Sequence, residues 1–449
     1  MEWIKQRFSI IGMARSGIAA AEKVVKAGGS VFLSDAKKAE DIAESDYLLK
    51  HFDCEFGGNT DRVLDADVII LSPGVPQTIP IVRKAMSQHI PVISEIEFAF
   101  RIMNKSSKII AVTGSNGKST TVSLIYHLLV TAGFKALLAG NIGDAFSSFD
   151  IENHYDWIVL ELSSFQLELI DQFTPDVAVL TNITPDHLNR YNSFDDYALA
   201  KINLFKNQNN HHKAVLFTDD EVINKFKHLI KSKIENFSLI HHADAFYNQE
   251  TSELVSDKDG IEWKLPVKDF SIRGPHNYCN IMAAFLAVKE IIADDEVLRR
   301  GFKTFKSLEH RLEWVDTVNG VQFINDSKAT NTDSVKYALL SYERPIRIIM
   351  GGSDKGEDFS ILNELLKEHA RKIYLIGATR KQMEEAYQGI AEYEVFEDFE
   401  SAIVKAYQDS EAGDYVVLSP ACASYDMFKN FEHRGQSFKE IVRKIKNGL

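Results

Sequence analysis

The chain has 449 residues, of which 45% are hydrophobic and 26% are charged, and its formal net charge is −13. This length and composition are typical of a globular chain of about three domains, and the sequence has no low-complexity segment. The excess of acidic residues argues against nucleic acid and against anionic membranes as partners.

Short apolar runs alternate with helical patterns along residues 1–96. Runs at 8–11, 31–35, 68–71 and 91–94 predict strands, which favours a doubly wound parallel sheet. The turn between Gly12 and Gly17 has Ala14 where a dinucleotide-binding turn has its middle glycine. Two interpretations stay open: a site for a nucleotide-sized anion such as a UDP group, or glycines that serve only the turn and its packing.

The clearest chemistry begins where an apolar run ends in a small polar loop. Residues 109–121 predict a strand, a phosphate-binding loop and a helix, because N–H groups of a glycine-containing turn at a helix start attract anions. Lys118 can reach the outer phosphates of a nucleotide, and the Ser119 hydroxyl can bind Mg²⁺. Val112 replaces the first glycine of the general motif, so the alternative is a strand-to-helix turn without a ligand.

Polar residues follow the next two predicted strands. Glu161 lies near the end of the run 157–162, and His187 follows the run 177–182. Ligands gather at the carboxyl ends of parallel strands, so Glu161, His187 and Ser119 could share a divalent cation. The alternatives are a strand-end ion pair for Glu161 and an ordinary loop position for His187. The pattern around Lys201, on a predicted helix, indicates only a solvated lysine.

The remaining sequence predicts a polar segment, a helix and a third α/β unit. Residues 220–270 are expected to be irregular, with a few short strands. Asn277 and Asn280 share one face of a predicted helix, where their amides suit a purine or ribose or act as caps. Strands of the third unit are predicted at 321–326, 346–350, 373–377 and 416–420. Lys328 and Lys355 follow two of these strands, which suits an acidic small molecule, although either alone fits an ordinary loop lysine.

These motifs resemble those of the ATP-dependent Mur ligases of bacterial cell-wall synthesis. The resemblance follows the family's order along nearly the whole chain, at residues 113–121, 140–143, 161–166, 182–191, 274–280, 310–311, 325–331, 351–356 and 418–435. Residues 326–331 and 419–431 favour the branch that adds D-glutamate. The resemblance implies three α/β domains: a Rossmann-like UDP-binding domain (1–96), a P-loop ATP-binding domain with a mostly parallel sheet (97–307) and a Rossmann-like amino-acid-binding domain (308–449).

The resemblance also implies roles for individual residues. Lys118, His187 and a carbamylated Lys201 would be catalytic, and two Mg²⁺ ions would be held by Ser119, Glu161, His187 and Lys201. ATP would contact Gly114, Ser115, Asn116, Gly117, Lys118, Ser119, Thr120, Asn141, Glu161, Asn277, Asn280, Arg311 and Asp326. The UDP substrate would contact Arg15, Ser16, Asp35, Ser72, Pro73, Gly74, Asn141, Ser163, Gln166 and His187. D-glutamate would contact Lys328, Thr330, Lys355, Ser424 and Phe431. Arg15 and Ala36 stand where the family commonly has Leu and Thr around the uracil.

The implied reaction joins D-glutamate to UDP-N-acetylmuramoyl-L-alanine through an acyl phosphate made with ATP. The alternatives are a sister Mur ligase or a folylpolyglutamate-type ligase that adds another amino acid and, from another class, a non-enzymatic nucleotide-binding protein. Cys54, Cys279 and Cys422 have no metal-binding spacing and fit a reducing compartment. Since no apolar run reaches about 18 residues, we expect a cytoplasmic protein without membrane partners. We also expect a monomer.

Overall fold

The computed structural model describes residues 3–186, 190–258, 261–270, 272, 274–306, 308–342, 344–354 and 356–448. The chain divides into two compact units, one of Met1–Asp269 with Cys279–Lys303 and one of Phe270–Tyr278 with Thr304–Leu449. The described residues of the first unit form two β-sheets, and those of the second form one. The predicted α/β class is confirmed, whereas the domain limits at residues 97 and 308 stay predictions.

The N-terminal sheet is parallel throughout its described strands. Phe8 and Ile10 are buried in one hydrophobic cluster and Ile11 and Ile69 in another, as expected for strands covered on both faces. Its strands are β1 Arg7–Ile11, β2 Ser30–Asp35, β3 Asp53–Phe56, β4 Val68–Leu71 and β5 Val92–Ser94, in the order β3-β2-β1-β4-β5. Its helices are α1 Arg15–Lys26, α2 Ser45–His51, α3 Pro80–Ser87 and α4 Glu95–Ile102.

The central sheet of the first unit has β6 between β8 and β9. Its strands are β6 Lys108–Thr113, β7 Ala136–Gly140, β8 Trp157–Glu161, β9 Val177–Leu180, β10 Lys213–Phe217, β11 Lys233–Ser238, β12 Ala245–Asn248, β13 Glu253–Lys258 and β14 Ile261–Pro266. Their order is β14-β13-β12-β11-β10-β9-β6-β8-β7, and β13 pairs antiparallel with both neighbours. The helices are α5 Lys118–Thr131, α6 Ser164–Leu167, α7 Phe194–Ile202, α8 Glu221–Phe226, α9 Pro275–Val288 and α10 Asp295–Thr304.

The short strands expected within residues 220–270 are present, but the expectation that the segment is otherwise irregular is wrong. This segment contributes β11 to β14 to the edge of the central sheet. Many of its strand positions are polar, and this polarity conceals the strand pattern in the sequence.

The sheet of the second unit combines one antiparallel strand pair with parallel neighbours. Its strands are β15 Glu313–Val318, β16 Val321–Asn325, β17 Ile346–Gly351, β18 Ala370–Ile376, β19 Tyr393–Val395 and β20 Tyr415–Leu418, in the order β15-β16-β20-β17-β18-β19. The helices are α11 Thr332–Leu340, α12 Asn363–His369, α13 Arg380–Tyr387, α14 Phe399–Gln408 and α15 Phe431–Lys446. One face of the sheet buries Ile348 and Leu375, and the other buries Ile349 and Leu418.

The strand order brings together the loops that follow the strands. β6, β8 and β9 are parallel neighbours, so the loops after Thr113, Glu161 and Leu180 begin at one edge of the central sheet. In the second unit β16, β20 and β17 are likewise parallel neighbours. Within the described ranges, no helix has the length and apolar character needed to cross a membrane.

Candidate active site

The loop between β6 and α5 has the backbone of a close-fitting turn. Gly114 has φ +150° and Gly117 has φ +84°, a region that glycine adopts readily. A Cβ atom on Gly114 would lie 2.0 Å from the Thr181 hydroxyl, and one on Gly117 would lie 2.3 Å from the Asn280 amide oxygen. These positions therefore require glycine for both conformation and space.

Hydrogen bonds from neighbouring segments fix this loop. The Asn116 N–H donates to the side-chain oxygen of Asn182 at 2.8 Å. The Ser115 hydroxyl lies 2.9 Å from both the Thr184 carbonyl and the Tyr197 hydroxyl. No side chain caps α5 at Gly117, so the N–H groups of its first turn face the loop as donors for an anion.

Two lysines meet on the same backbone carbonyl of the loop. Lys118 Nζ donates to the Gly114 carbonyl at 2.9 Å and to that of Ser115 at 2.8 Å. Lys201 Nζ donates to the Gly114 carbonyl at 2.8 Å and lies 4.5 Å from the centre of the Tyr197 ring. Lys201 is only 2% exposed, so the interpretation of a solvated lysine is wrong. Burial, and then the charge of Lys118, lower the pKa of Lys201 well below its ordinary value.

Glu161 offers a carboxylate oxygen that no hydrogen bond uses. It ends β8, is 2% exposed, and accepts a 2.8 Å hydrogen bond on Oε1 from the side-chain amide of Asn141. Its Oε2 is buried and has no hydrogen-bond partner among the described residues, as is also true of the Thr120 hydroxyl. No ion pair to Glu161 is found in that part of the chain. A buried carboxylate oxygen without a hydrogen-bond partner is a ligand that suits a hard cation such as Mg²⁺.

Two residues predicted to contact the UDP substrate fix the turn after β1. Asp35 accepts a 2.7 Å hydrogen bond from the Met13 N–H, and the Ser72 hydroxyl donates to the Gly12 carbonyl at 2.8 Å. A Cβ atom on Gly17 would lie 2.0 Å from that carbonyl, so the glycine allows α1 to approach the turn closely. Both side chains therefore already have a role in shaping the turn.

Two arginines form hydrogen bonds between the N-terminal sheet region and loops of the central sheet. Arg15 is exposed and donates to the Gly143 carbonyl at 3.0 Å, two residues after Asn141. Arg190 donates to the Pro73 carbonyl at 2.8 Å and lies 3.3 Å from a carboxylate oxygen of Glu168. Ser16 lies in the first turn of α1, and Gly74 directly follows Pro73.

Ser163 and Gln166 bond to one another at the start of α6. The Ser163 hydroxyl accepts from the Gln166 N–H at 3.3 Å, and the Gln166 side chain accepts from the Ser163 N–H at 2.9 Å. This capping box accounts for their polar atoms by helix initiation. Their predicted contact with the sugar-peptide part of a substrate stays a prediction.

The predicted adenosine residues divide between the two units. Asn280 belongs to the first unit, where its side chain accepts a 3.2 Å hydrogen bond from Thr121. Asn277, Arg311 and Asp326 belong to the second unit. Asp326 accepts from the Ser419 hydroxyl at 2.9 Å, and burial raises the pKa of its carboxyl group to about 7.

Four of the residues predicted to bind D-glutamate lie on described loops and a helix start of the second unit. Lys328 Nζ lies 5.6 Å from the centre of the Phe431 ring, and Phe431 begins α15. The Thr330 N–H donates to the Lys328 carbonyl at 2.9 Å, and Ser424 is buried. Lys355 and His187 lie outside the described residues, so their predicted roles stay predictions.

Comparison with known proteins identifies the family. The profile described as "Mur ligase MurD-like, N-terminal domain" matches residues 6–94, that of the Mur ligase middle domain matches 112–288, and that of the "Mur ligase, glutamate ligase domain" matches 310–422. The UDP-N-acetylmuramoylalanine–D-glutamate ligase of Koribacter versatilis is 41% identical over 445 residues, which cover 98% of both chains. The enzyme of the same name from Salinibacter ruber is 38% identical over 455 residues, again with 98% of both chains covered.

The chain belongs to the Mur ligase family. It is therefore a ligase, as the motifs predict. A solved structure of UDP-N-acetylmuramate–alanine ligase from Thermotoga maritima shares the fold of this Mur ligase, with a TM-score of 0.61 at 18% identity over 98% of this chain and 100% of that one. A pseudomurein peptide ligase from Methanothermus fervidus gives a TM-score of 0.62 at 18% identity, with the same coverage.

Sequence reasoning missed two arginines of this Mur ligase that the structure makes prominent. Arg190 reaches the loop at Pro73, and Arg434 is completely buried on α15. A lone arginine in a loop or on an amphipathic helix carries no local pattern that separates it from a surface residue. Their partners are distant in sequence, so only the folded chain reveals them.

Proposed function

We propose that this Mur ligase joins D-glutamate to UDP-N-acetylmuramoyl-L-alanine with conversion of ATP to ADP and phosphate, in the synthesis of peptidoglycan precursors. The observation that carries the proposal is the meeting of Lys118 and Lys201 on the Gly114 carbonyl of a loop built for phosphate. The substrates are those in the names of relatives 37–41% identical over 98% of the chain.

The chemistry needs two steps because a carboxylate is a poor electrophile. In the first step, the alanyl carboxylate attacks the γ-phosphorus of ATP, which forms an acyl phosphate and releases ADP. In the second step, the amine of D-glutamate attacks the acyl carbon, an amide bond forms, and phosphate leaves with the former acyl oxygen. The amine loses one proton, which passes to His187 or to a phosphate oxygen.

Charge stabilisation is the main task of the loop in the first step. Two anions must approach each other, and charge develops on the transferred group in the transition state. Lys118 is held by two loop carbonyls at 2.9 and 2.8 Å, from which its ammonium group can turn to the outer phosphates. The first-turn N–H groups of α5 provide further donors.

Two Mg²⁺ ions suit this site, and Ser119, Glu161, His187 and a carbamylated Lys201 would hold them. The unused Oε2 atom of Glu161 supports this set, because a buried carboxylate oxygen without a partner is costly unless a cation binds it. When bound, the ions would neutralise charge on the phosphates and on the attacking carboxylate.

Carbamylation of Lys201 is consistent with its surroundings. A neutral amine nitrogen adds to the carbon of CO₂, gives a carbamate anion and releases one proton. Burial favours the neutral amine, and Lys201 is 2% exposed with its pKa lowered by that burial. The added group would convert a buried cation into an anion able to bind metal, next to a loop that already carries Lys118.

The remaining contacts of the proposal follow the predicted sets. The UDP substrate would be held by Arg15, Ser16, Asp35, Ser72, Pro73, Gly74, Asn141, Ser163, Gln166 and His187. The adenosine part of ATP would be held by Asn277, Asn280, Arg311 and Asp326. Lys328, Thr330, Lys355, Ser424 and Phe431 would hold D-glutamate. We further propose that the protein acts as a monomer in the cytoplasm.

A product assay tests this proposal against its alternatives. The purified protein is incubated with ATP, Mg²⁺, one acceptor (UDP-N-acetylmuramoyl-L-alanine, other UDP-muramoyl peptides or a folate) and one amino acid, and the amide product is identified by mass spectrometry. The proposal predicts a product only with UDP-N-acetylmuramoyl-L-alanine and D-glutamate. Another productive pair indicates a sister ligase, and ATP binding without any amide indicates a nucleotide-binding protein.

A further inference from the structure

Arg434 is a completely buried cation at the end of the first turn of α15. Its side chain donates four hydrogen bonds: Nε to the Ser327 hydroxyl at 3.0 Å, Nη2 to the Ser327 carbonyl at 2.8 Å, Nη2 to the Cys422 carbonyl at 3.0 Å and Nη1 to the Ala423 carbonyl at 3.2 Å. The planar guanidinium group is suited to binding several acceptors in a fixed geometry.

These partners belong to loops that follow neighbouring parallel strands. Ser327 follows β16, whereas Cys422 and Ala423 follow β20. A third loop, after β17, approaches the same group: a Cβ atom on Gly352 would lie 3.2 Å from Arg434 Nη1 and 2.2 Å from the Ala423 carbonyl. One side chain thus fixes or contacts the first turn of three adjacent loops.

Each of these loops continues into a residue proposed to bind D-glutamate. Lys328 directly follows Ser327, Ser424 directly follows Ala423, and Lys355 lies three positions after Gly352. Phe431 begins the helix on which Arg434 lies, and its carbonyl accepts a 2.8 Å hydrogen bond from the Ser327 hydroxyl.

The charge of Arg434 is not cancelled by a direct ion pair. All four of its acceptors are neutral oxygens, and no carboxylate of the described residues lies within ion-pair distance. Asp326 and Asp426 are the acidic groups whose charges reach it. Burial lowers the pKa of Arg434 to about 10, which leaves the group protonated at neutral pH. A buried, incompletely compensated cation favours an anionic ligand nearby.

We propose that Arg434 is the positioning residue of the D-glutamate site, where it sets the geometry of the loops at Ser327, Gly352 and Ala423 and adds positive potential for a dicarboxylate. This inference rests on the proposed function. It assigns to Arg434 no contact with the substrate, because its hydrogen bonds go to the loops.

The test compares Arg434→Lys and Arg434→Met with wild type in steady-state kinetics. Lysine keeps the charge but cannot reproduce four hydrogen bonds, and methionine removes both. We expect KM for D-glutamate to rise roughly 10-fold for Arg434→Lys and roughly 100-fold for Arg434→Met, because misplacement by about 1 Å has effects of that size. KM for ATP and for UDP-N-acetylmuramoyl-L-alanine should stay within about two-fold of wild type, since weaker binding of one substrate raises the KM for that substrate alone.

Arg443→Met is the matched control, because Arg443 is an exposed arginine on the same helix. It should leave all three KM values unchanged. If the Arg434 variants do not fold, Ser327→Ala removes the hydroxyl that accepts from Arg434 Nε and donates to the Phe431 carbonyl, and a selective rise of a few-fold in KM for D-glutamate is expected. Unchanged KM values in folded variants, or an equal rise for all substrates, would overturn the inference. Wild-type enzyme that ignores D-glutamate would instead contradict the proposed function itself.

Discussion

At the scale of single residues, Lys201 is the position where the local sequence pattern and the fold disagree. The helix around it predicts a solvated side chain, yet the fold places its amine against the Gly114 carbonyl beside Lys118. A buried amine between another cation and a backbone carbonyl is an unfavourable place for a permanent positive charge. This conflict is resolved if the group functions as a carbamate.

Replacement of Lys201 tests this role directly. We expect Lys201→Ala to lower kcat by roughly 100- to 1,000-fold, since it would remove the carbamate proposed to bind the metal ions. Formate or acetate should restore part of the activity by replacing the carbamate. Lys225→Ala, at an exposed lysine paired with Asp195, is the control and should behave as wild type. Wild-type turnover by Lys201→Ala would rule out the carbamate role.

Asp326 is expected to make the stability of the folded chain depend on pH. Its pKa is about 7 in the folded chain because burial disfavours the charged form, whereas an unfolded aspartate titrates near the ordinary value of 3.8. Below about pH 4 both states are protonated, and the burial penalty is absent. Between about pH 4 and pH 7 the unfolded state loses its proton first, so stability falls as pH rises.

Asp326→Asn should therefore stabilise the chain more at pH 8 than at pH 5. The amide retains an acceptor for the Leu312 N–H and a donor for the Ser419 hydroxyl but carries no charge. The gain at pH 8 should reach up to about 4 kcal/mol and shrink towards pH 4. Urea unfolding at both pH values measures it, and a gain that does not change with pH contradicts the prediction.

At the scale of elements, the conformation of the loop before α5 depends both on the left-handed backbone of its glycine and on the space around it. Gly117 and Gly133 flank α5 with nearly equal φ angles of +84° and +86°. A Cβ atom on Gly117 would collide with the Asn280 side chain, whereas one on Gly133 would meet nothing within 4 Å. The pair thus separates backbone strain from loss of space.

Gly133→Ala should lower stability by about 1 kcal/mol and leave turnover unchanged, because only the left-handed backbone is strained. Gly117→Ala should also displace the loop and lower kcat/KM for ATP by at least roughly 10-fold. Kinetics with varied ATP, together with thermal unfolding, distinguish the two effects. Equal kinetic behaviour of the two variants would contradict the importance of the Asn280 contact.

The loop containing Pro73 is held in place by a side chain from a distant part of the chain. Arg190 bonds to the Pro73 carbonyl and to Glu168, which in turn accepts a 2.9 Å hydrogen bond from Gln77. Arg190→Met should free this loop and raise KM for UDP-N-acetylmuramoyl-L-alanine roughly 10-fold, with KM for ATP unchanged. Arg83→Met, at an exposed arginine of α3, is the control. An unchanged KM would show that the loop keeps its position without Arg190.

At the scale of the whole molecule, the features that can be predicted from the sequence are those set by residues adjacent in the chain. The strand, loop and helix around Lys118 follow from neighbouring residues, and so does the succession of α/β units. The antiparallel pairing of β12 to β14 did not follow from the sequence, because few of their positions are apolar and pairing depends on residues distant along the chain. Arg190 and Arg434 could not be found either, since each acts on residues more than ten positions away. The capping box of Ser163 and Gln166 shows that a motif side chain can also serve local structure.

We propose that this Mur ligase couples ATP cleavage to amide formation between two particular substrates. This coupling is tested most directly by phosphate release with ATP and Mg²⁺ while UDP-N-acetylmuramoyl-L-alanine, D-glutamate or both are omitted. We expect continuous release only when both are present, with one phosphate formed for each amide. Phosphate release that persists at the same rate when either substrate is omitted would contradict the account.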